Sequence, residues 1–193
     1  MQTTTLDLGP QAAEVARIVG GVRDGQLHDP TPCPGMDVAA LLDHLVGLTI
    51  AFRNAAEKVP QRGGPQADAA NLAPDWRTRL PAQLDALAAA WREPAAWEGT
   101  AVAGGVELPA PVMAAVGLDE VLIHGWDLAV ATGQDYRPDP AAVQACADLV
   151  GDRTGVTDEP EGLFGPAVPV PADAPQFDRL LGQTGRDPGW ASA

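Results

Sequence analysis

Apolar side chains recur at spacings of three and four residues in long segments of this chain, and clusters of proline and glycine separate these segments. Such a period is typical of helices that bury one face, because residues three and four apart lie on the same side of a helix. Proline and glycine interrupt helices, and strong strand signals are few. We therefore predict an all-α bundle, with one helical domain over residues 1–150 and an extended tail over residues 151–193 packed on it.

The same pattern gives approximate helix boundaries. Asp37 follows a proline-rich segment and is typical of an N-cap, and Pro81 should kink the third helix or mark its first turn. Gly104 and Gly105 predict a small hairpin. Residues 60–74 form a long connecting loop, which we expect to be the most mobile element. The predicted helices cover residues 11–22, 38–57, from about 75 onward, 110–131, 140–150 and, within the tail, a short helix over 177–181.

Composition excludes two classes of protein. The net charge of −14 argues against nucleic-acid binding, which depends on Lys and Arg at phosphates. No uninterrupted run of about 18 apolar residues is available to span a membrane, and the first residues lack the charged and apolar regions of a signal peptide. We expect a soluble cytoplasmic protein that binds neither nucleic acid nor membrane.

The two cysteines, Cys33 and Cys146, are far apart in the sequence. They supply neither a disulfide framework nor a Cys-x-x-Cys metal motif, and we expect two reduced, buried thiols. Cys33 lies just before a predicted helix, where a thiol pKa can fall, so a nucleophilic role for it is a second interpretation.

Three polar residues interrupt the apolar pattern of the fourth predicted helix. At about 3.6 residues per turn, Glu120, His124 and Asp127 lie within an arc of about 60° on one face. Burying a carboxylate and an imidazole without partners costs several kcal/mol. A bound cation would offset this cost, since Glu120 and His124 are one turn apart and can reach the same ion.

His44 lies at the edge of the buried face of the second predicted helix and can complete such a site. Two imidazoles and one carboxylate suit zinc or a similar divalent ion and leave coordination positions free for water or substrate. Two other interpretations remain open. His44 could be a hydrogen-bonded core residue, and Glu120 with His124 could form a hydrogen bond on the helix surface.

Three separated pairs of motifs, in order along the chain, resemble the actinobacterial DinB-like proteins related to the amino-terminal domain of mycothiol-dependent maleylpyruvate isomerase. The resemblance spans essentially the whole chain. The motifs are Thr31-Pro-Cys-Pro-Gly-Met-Asp37 with Leu41-Leu-Asp-His-Leu-Val46, Leu122-Ile-His-Gly-Trp-Asp-Leu-Ala129 with Ala131-Thr-Gly-Gln134, and Phe164-Gly-Pro-Ala-Val-Pro-Val-Pro171 with Gly185-Arg-Asp-Pro188.

The resemblance implies a DinB-like four-helix bundle, here with an additional helix, a small hairpin and a Pro/Gly-rich C-terminal strap. It also implies a divalent metal, zinc before nickel, iron or manganese, at the positions of His44, Glu120 and His124. Enzymes of this superfamily are typically metal- and thiol-dependent transferases or isomerases. The isomerase has a second carboxy-terminal domain that contributes to its active site, whereas a short tail follows the bundle here, so we expect a reaction other than maleylpyruvate isomerisation.

We therefore interpret the chain as a metal-binding transferase or isomerase that delivers a thiol such as mycothiol to a small electrophile, as a monomer or homodimer. In this interpretation Asp127 supports a metal ligand or accepts a proton, and Trp126 and Arg186 contact the thiol cofactor. Each of the three has a plainer interpretation: Asp127 could pair with Arg137, Trp126 could belong to the core, and Arg186 could pair with a surface carboxylate. For the whole chain, the alternative is a non-catalytic module in which the ion joins two helices or binds a small ligand for a partner protein.

Overall fold

The computed structural model of the protein describes residues 6–61, 66–153 and 164–191. Within these residues the chain is mostly helical with one two-stranded sheet, which confirms the prediction of an all-α fold with a small hairpin. Its elements are α1 (Gly9–Gly21), α2 (Val38–Ala56), α3 (Trp76–Arg92), β1 (Thr100–Ala103), β2 (Val106–Pro109), α4 (Ala110–Ala131), α5 (Pro140–Val150) and α6 (Gln176–Gln183).

The first four helices form a four-helix bundle. Helices α1 and α2 each pack against both α3 and α4, and α5 packs on the outer side of α4. The apolar stripes of these helices meet in one continuous hydrophobic core. Helix α4 is buried on nearly all sides, which explains why its sequence is apolar around most of its circumference.

Local sequence signals set the ends of the helices that carry the polar residues. The Asp37 side chain accepts a hydrogen bond from Ala40 N at 2.8 Å and caps α2, as predicted. Helix α4 begins at Ala110 and ends at Ala131, with Gly133 in the left-handed conformation at φ 68° just beyond it. Glycine is favoured there because it has no Cβ.

The hairpin between α3 and α4 has the predicted position. Strands β1 and β2 are antiparallel, with Ala103 opposite Val106. Gly104 and Gly105 form the two-residue turn at φ 58° and 82°. Positive φ at both central residues is the geometry that favours glycine in such hairpins.

The structure differs from the predicted bounds of α1 and α6 and excludes one of the two outcomes predicted for Pro81. Helix α1 begins at Gly9 rather than at residue 11, since Pro10 suits a first helical turn. Helix α3 begins at Trp76 and continues through Pro81, so Pro81 does not mark its first turn. Helix α6 extends on both sides of the predicted residues 177–181.

Helix α2 is long and apolar enough to cross a membrane by length and composition alone. However, 61% of its most apolar window is buried inside the protein. This burial is typical of a core helix in a bundle.

Residues 164–175 run as an extended strap against α6. Val168 N donates to Gly182 O at 2.8 Å, and α6 packs on α5. Parts of the predicted mobile loop (62–65) and of the tail (154–163) lie outside the described residues. The described part of the tail is thus held against the bundle through α5.

One ion pair on the outside of the bundle gives a pH-dependent prediction. Arg17 donates to Glu14 through Nε at 2.9 Å and Nη2 at 2.6 Å, and Arg137 N donates to the same carboxylate at 2.7 Å. The Arg17 hydrogen bonds hold the pKa of Glu14 below its ordinary value. Glu14 therefore contributes stability that is complete above the ordinary pKa of 4.5 and is lost as the pH falls through the lower, folded-state pKa.

We expect Glu14→Gln to reduce the free energy of unfolding by about 1 kcal/mol at neutral pH. The difference from the unmodified protein should shrink below about pH 4.5, as measured by urea unfolding at a series of pH values. The exposed Glu98 serves as the control, and Glu98→Gln should have little effect on unfolding at neutral pH. A difference for Glu14→Gln that grows on acidification would contradict the argument.

Candidate metal centre

His44 on α2 and Glu120 and His124 on α4 meet inside the bundle. His44 Nε2 lies 3.4 Å from Glu120 Oε2, and His124 Nε2 lies 3.2 Å from the same oxygen. The two imidazole rings are 4.8 Å apart between centroids, with an interplanar angle of 88°. Two ring nitrogens thus converge on one carboxylate oxygen.

Helix geometry and bundle packing together produce this convergence. Glu120 and His124 are one turn apart on α4, which places both side chains on one face. That face is turned toward α2, which packs directly against α4, and His44 lies at the edge of the buried face of α2. The structure therefore brings Glu120 and His124 together on one face of α4 and places His44 opposite them.

The two separations between Glu120 Oε2 and the imidazole nitrogens fit a small divalent ion. In a tetrahedral zinc site with arms of about 2.0–2.1 Å, the distance between two ligand atoms is about 3.3–3.4 Å. The two separations from Glu120 Oε2, 3.2 and 3.4 Å, match this value, and all three ligand atoms lie within 4.8 Å of one another. Two imidazole nitrogens and a carboxylate are also a donor set that suits zinc.

The cluster is open on one side. The side chains of His44 and Glu120 are 31% and 26% exposed, whereas that of His124 is 11% exposed. A small molecule can therefore approach from the side of His44 and Glu120, while the side of His124 is closed by protein.

Asp127 and Arg186 close the inner side. Asp127 is fully buried, and its Oδ2 lies 3.0 Å from His124 Nδ1. Arg186 donates to Asp127 through Nε to Oδ1 at 3.3 Å and through Nη2 to Oδ2 at 3.0 Å. The Asp127 carboxylate thus contacts both the imidazole of α4 and a guanidinium from the C-terminal segment.

The charges of the cluster shift the pKa values of its two central groups. Burial would raise the pKa of Glu120, but the hydrogen bonds of His124 and His44 outweigh it and lower that pKa far below its ordinary value. Burial would lower the pKa of His124, but Asp127, Cys33 and Glu120 outweigh it and raise that pKa well above its ordinary value. Glu120 is therefore a carboxylate at neutral pH.

Cys33 lies close to His124 and Asp127, in a proline-flanked turn. Thr31 Oγ1 accepts from Cys33 N at 3.2 Å and donates to Met36 O at 2.9 Å, which fixes the turn. Cys33, His124 and Asp127 form a second set of closely spaced metal-ligating groups, all buried. Arg186 already neutralises Asp127 in this set, so the set around Glu120 is the better cation site.

Asp119, next to Glu120 on α4, is a buried acidic residue. It is 5% exposed, and its Oδ1 has no hydrogen-bond partner among the described residues. Burial and the neighbouring Glu120 raise the pKa of Asp119 to about 7. The only signal in the sequence is an acidic residue next to Glu120 in an apolar run. Acidic residues are usually exposed, so this signal does not predict that Asp119 is buried.

Trp126 and Asp43 are close to the proposed ligands in sequence but have other contacts in the structure. Trp126 is buried in the hydrophobic core, and a contact between it and a thiol cofactor stays a prediction. Asp43, the neighbour of His44, accepts a hydrogen bond from Asp68 N at 3.1 Å. It thereby holds the segment that precedes α3 against α2.

Comparison with known proteins adds an independent finding. The family model described as the mycothiol maleylpyruvate isomerase N-terminal domain matches residues 8–129. Two uncharacterized proteins of Mycobacterium tuberculosis, from strains CDC 1551 and H37Rv, are each 32% identical over 186 residues, which cover 89% of this chain and 91% of the relative. No solved structure gives a significant match.

Proposed function

Because the chain belongs to the family of the mycothiol maleylpyruvate isomerase N-terminal domain, we propose that it is a metal- and thiol-dependent transferase or isomerase acting on a small electrophile. His44, Glu120 and His124 hold a divalent ion in this proposal, with zinc favoured by the donor set. Mycothiol is the thiol that the family suggests. The reaction takes place in the cytoplasm, where low-molecular-weight thiols are kept reduced.

The observation that carries this proposal is the convergence of two imidazole nitrogens on one carboxylate oxygen at 3.2 and 3.4 Å. A hydrogen-bonded core histidine needs one partner, but here two histidines from different helices share the same acceptor. The three residues lie in a half-open position, which a purely structural polar cluster does not need. A cation that binds a ligand from solvent accounts for both features.

Each residue has a distinct role in the proposed chemistry. A bound divalent ion lowers the pKa of a ligated thiol or water by several units and so supplies a nucleophile at neutral pH. Asp127 accepts the Nδ1 hydrogen of His124, which turns the Nε2 lone pair toward the ligand position. The thiol and the electrophile enter from the side on which His44 and Glu120 are partly exposed.

The test is a thiol-consumption assay with the metal-loaded protein and a panel of small electrophiles, using mycothiol and other low-molecular-weight thiols. We expect turnover with at least one pair, loss of turnover after metal removal by a chelator, and recovery when zinc is added back. Purified protein that contains no metal and takes up none would overturn the proposal. Metal-loaded protein without turnover for any pair would remove the enzymatic part.

The alternative, a non-catalytic metal-stabilised module, is favoured by one observation: the ion would join α2 to α4 through His44 and the α4 pair. Cobalt substitution separates the two functions. If a thiol binds the ion, adding mycothiol to the cobalt protein should produce a sulfur-to-cobalt charge-transfer band. An unchanged spectrum, together with a large stabilisation by the ion, would favour the structural module.

A further inference from the structure

We propose that Arg186, from the segment after the bundle, is a positioning residue for the metal ligand His124 and acts through Asp127. This inference rests on the proposed metal site. It assigns to Arg186 a role other than contact with the thiol cofactor, which was the interpretation from sequence.

The contacts form a chain from Arg186 to the ligand position. Both oxygens of Asp127 are held by the guanidinium, at 3.3 and 3.0 Å, and this two-point contact fixes the plane of the carboxylate. Oδ2 of the same carboxylate lies 3.0 Å from His124 Nδ1. A carboxylate that accepts from Nδ1 fixes the imidazole tautomer and the direction of Nε2, so the guanidinium sets the orientation of the ring through Asp127.

Both partners of the Arg186–Asp127 ion pair are buried. Asp127 is 0% exposed and the Arg186 side chain is 10% exposed. A buried carboxylate without a compensating cation is strongly unfavourable. The Arg186 guanidinium, 3.0 Å from Asp127 Oδ2, supplies this compensating charge.

The end of α6 delivers Arg186 to this position. Arg186 N donates to Leu181 O at 2.8 Å and Gly185 N donates to Gly182 O at 3.1 Å, which is the Schellman arrangement at a helix end. Gly185 has φ 82°, and a Cβ there would lie 3.1 Å from backbone atoms of the strap. Arg186 Nη1 also donates to Thr184 O at 3.0 Å. Arg186 is thus held through both its backbone N–H and its guanidinium.

The match to the family model cannot indicate a role for Arg186, because the match ends at residue 129. The C-terminal segment therefore contributes a group to the centre that the first 129 residues do not contain. Removing this group should weaken the metal site without removing any ligand of the ion.

The experiment measures zinc affinity by competition with a chelator and records the visible spectrum of the cobalt-substituted full chain. For Arg186→Gln we expect the zinc Kd to rise by about 10- to 100-fold, the usual effect of losing an outer partner of a ligand, together with a changed cobalt spectrum. Arg186→Lys restores the charge without the two-point contact and should recover part of the affinity. The matched control is Arg179→Gln, an exposed arginine on α6, which should change neither quantity.

A double-mutant cycle tests that Arg186 acts through Asp127. If it does, Asp127→Asn combined with Arg186→Gln should weaken zinc binding no more than Asp127→Asn alone. This pair also removes both buried charges, so it can be measured if Arg186→Gln by itself does not fold. Unmodified protein that binds no metal would overturn the proposed function, whereas unchanged affinity and cobalt spectrum in Arg186→Gln would overturn this inference alone.

Discussion

Replacing His44 with alanine should abolish stoichiometric zinc binding, and replacing His28 with alanine should leave it unchanged. His44 supplies one of three ligand atoms in the proposed site. Loss of a group that only supports a ligand already costs about 10- to 100-fold in metal affinity, so loss of the ligand itself should exceed about 100-fold. The side chain of His28 is 90% exposed and pairs with Asp37 at 3.5 Å, away from the centre.

Two measurements check this prediction. Elemental analysis of the purified proteins should find one zinc per chain in the unmodified protein and in His28→Ala, and none in His44→Ala. Thermal unfolding gives the second measurement, because an ion that binds the folded state stabilises it by about 2.7 kcal/mol at a concentration 100 times its Kd. His44→Ala should show no such stabilisation.

The partial exposure of His44 makes it the best of the three ligands for this test. Its side chain is 31% exposed, so truncation leaves no large buried cavity and the metal-free variant should fold. His124→Ala should lose the metal as well, but it also leaves Asp127 without one of its partners. Equal zinc content in His44→Ala and the unmodified protein would show that these residues do not hold the ion.

Replacing Gly125 with alanine should destabilise the protein, whereas the same change at Gly47 should stabilise it. A Cβ at Gly125 would lie 2.5 Å from Val15 Cγ2 and 2.6 Å from the hydroxyl oxygen of Tyr136. A Cβ at Gly47 would have no heavy atom within 4 Å. Both glycines are inside long helices, so their helix propensities change equally and only the packing differs.

The contact at Gly125 has little room to relax. The Tyr136 hydroxyl accepts from Gln11 at 2.6 Å and donates to Leu122 O at 2.7 Å, and Val15 is fully buried. An added methyl group must therefore separate α1 from α4 or break these hydrogen bonds. We expect Gly125→Ala to cost about 1–3 kcal/mol, the usual range for overpacking, and Gly47→Ala to add up to about 1 kcal/mol.

Urea unfolding of both variants and of the unmodified protein measures the two effects. Equal changes in the unfolding midpoint for Gly125→Ala and Gly47→Ala would contradict the close packing of α1 on α4. Gly125 follows His124 directly, so Gly125→Ala should also weaken zinc binding. Gly47→Ala should leave the zinc Kd unchanged, because a side chain there adds no contact.

Several features were predictable because neighbouring residues determine them. The bounds of α4 and α5 agree with the predicted ones, since proline at their starts and glycine after their ends set them locally. The hairpin followed from Gly104 and Gly105. Of the two outcomes predicted for Pro81, the first turn of α3 is wrong, because the pattern gives no measure of how much packing stabilises α3 on both sides of a proline. Long-range packing can outweigh the local cost of one lost hydrogen bond.

The candidate metal centre was also predictable only in part. The shared face of Glu120 and His124 is a consequence of helix periodicity and was predictable. His44 lies 76 residues before Glu120, and its approach to Glu120 depends on which face of α2 packs on α4. The position of His44 at the edge of the buried face and the family resemblance both indicated this approach. Nothing local to residue 186 indicated that its guanidinium would lie against Asp127, 59 residues away.

By itself, the sequence determined where the helices lie, which of their faces are apolar and which polar side chains share a face, because these properties follow from backbone geometry and residues a few positions apart. Tertiary structure alone decided that Arg186 lies against Asp127 and that Cys33 lies near His124. It also decided that Asp119 Oδ1 is buried without a hydrogen-bond partner among the described residues, and that the side chains of His44 and Glu120 are partly exposed. Those outcomes depend on how the helices and the C-terminal strap pack together, and the packing is set by the whole core.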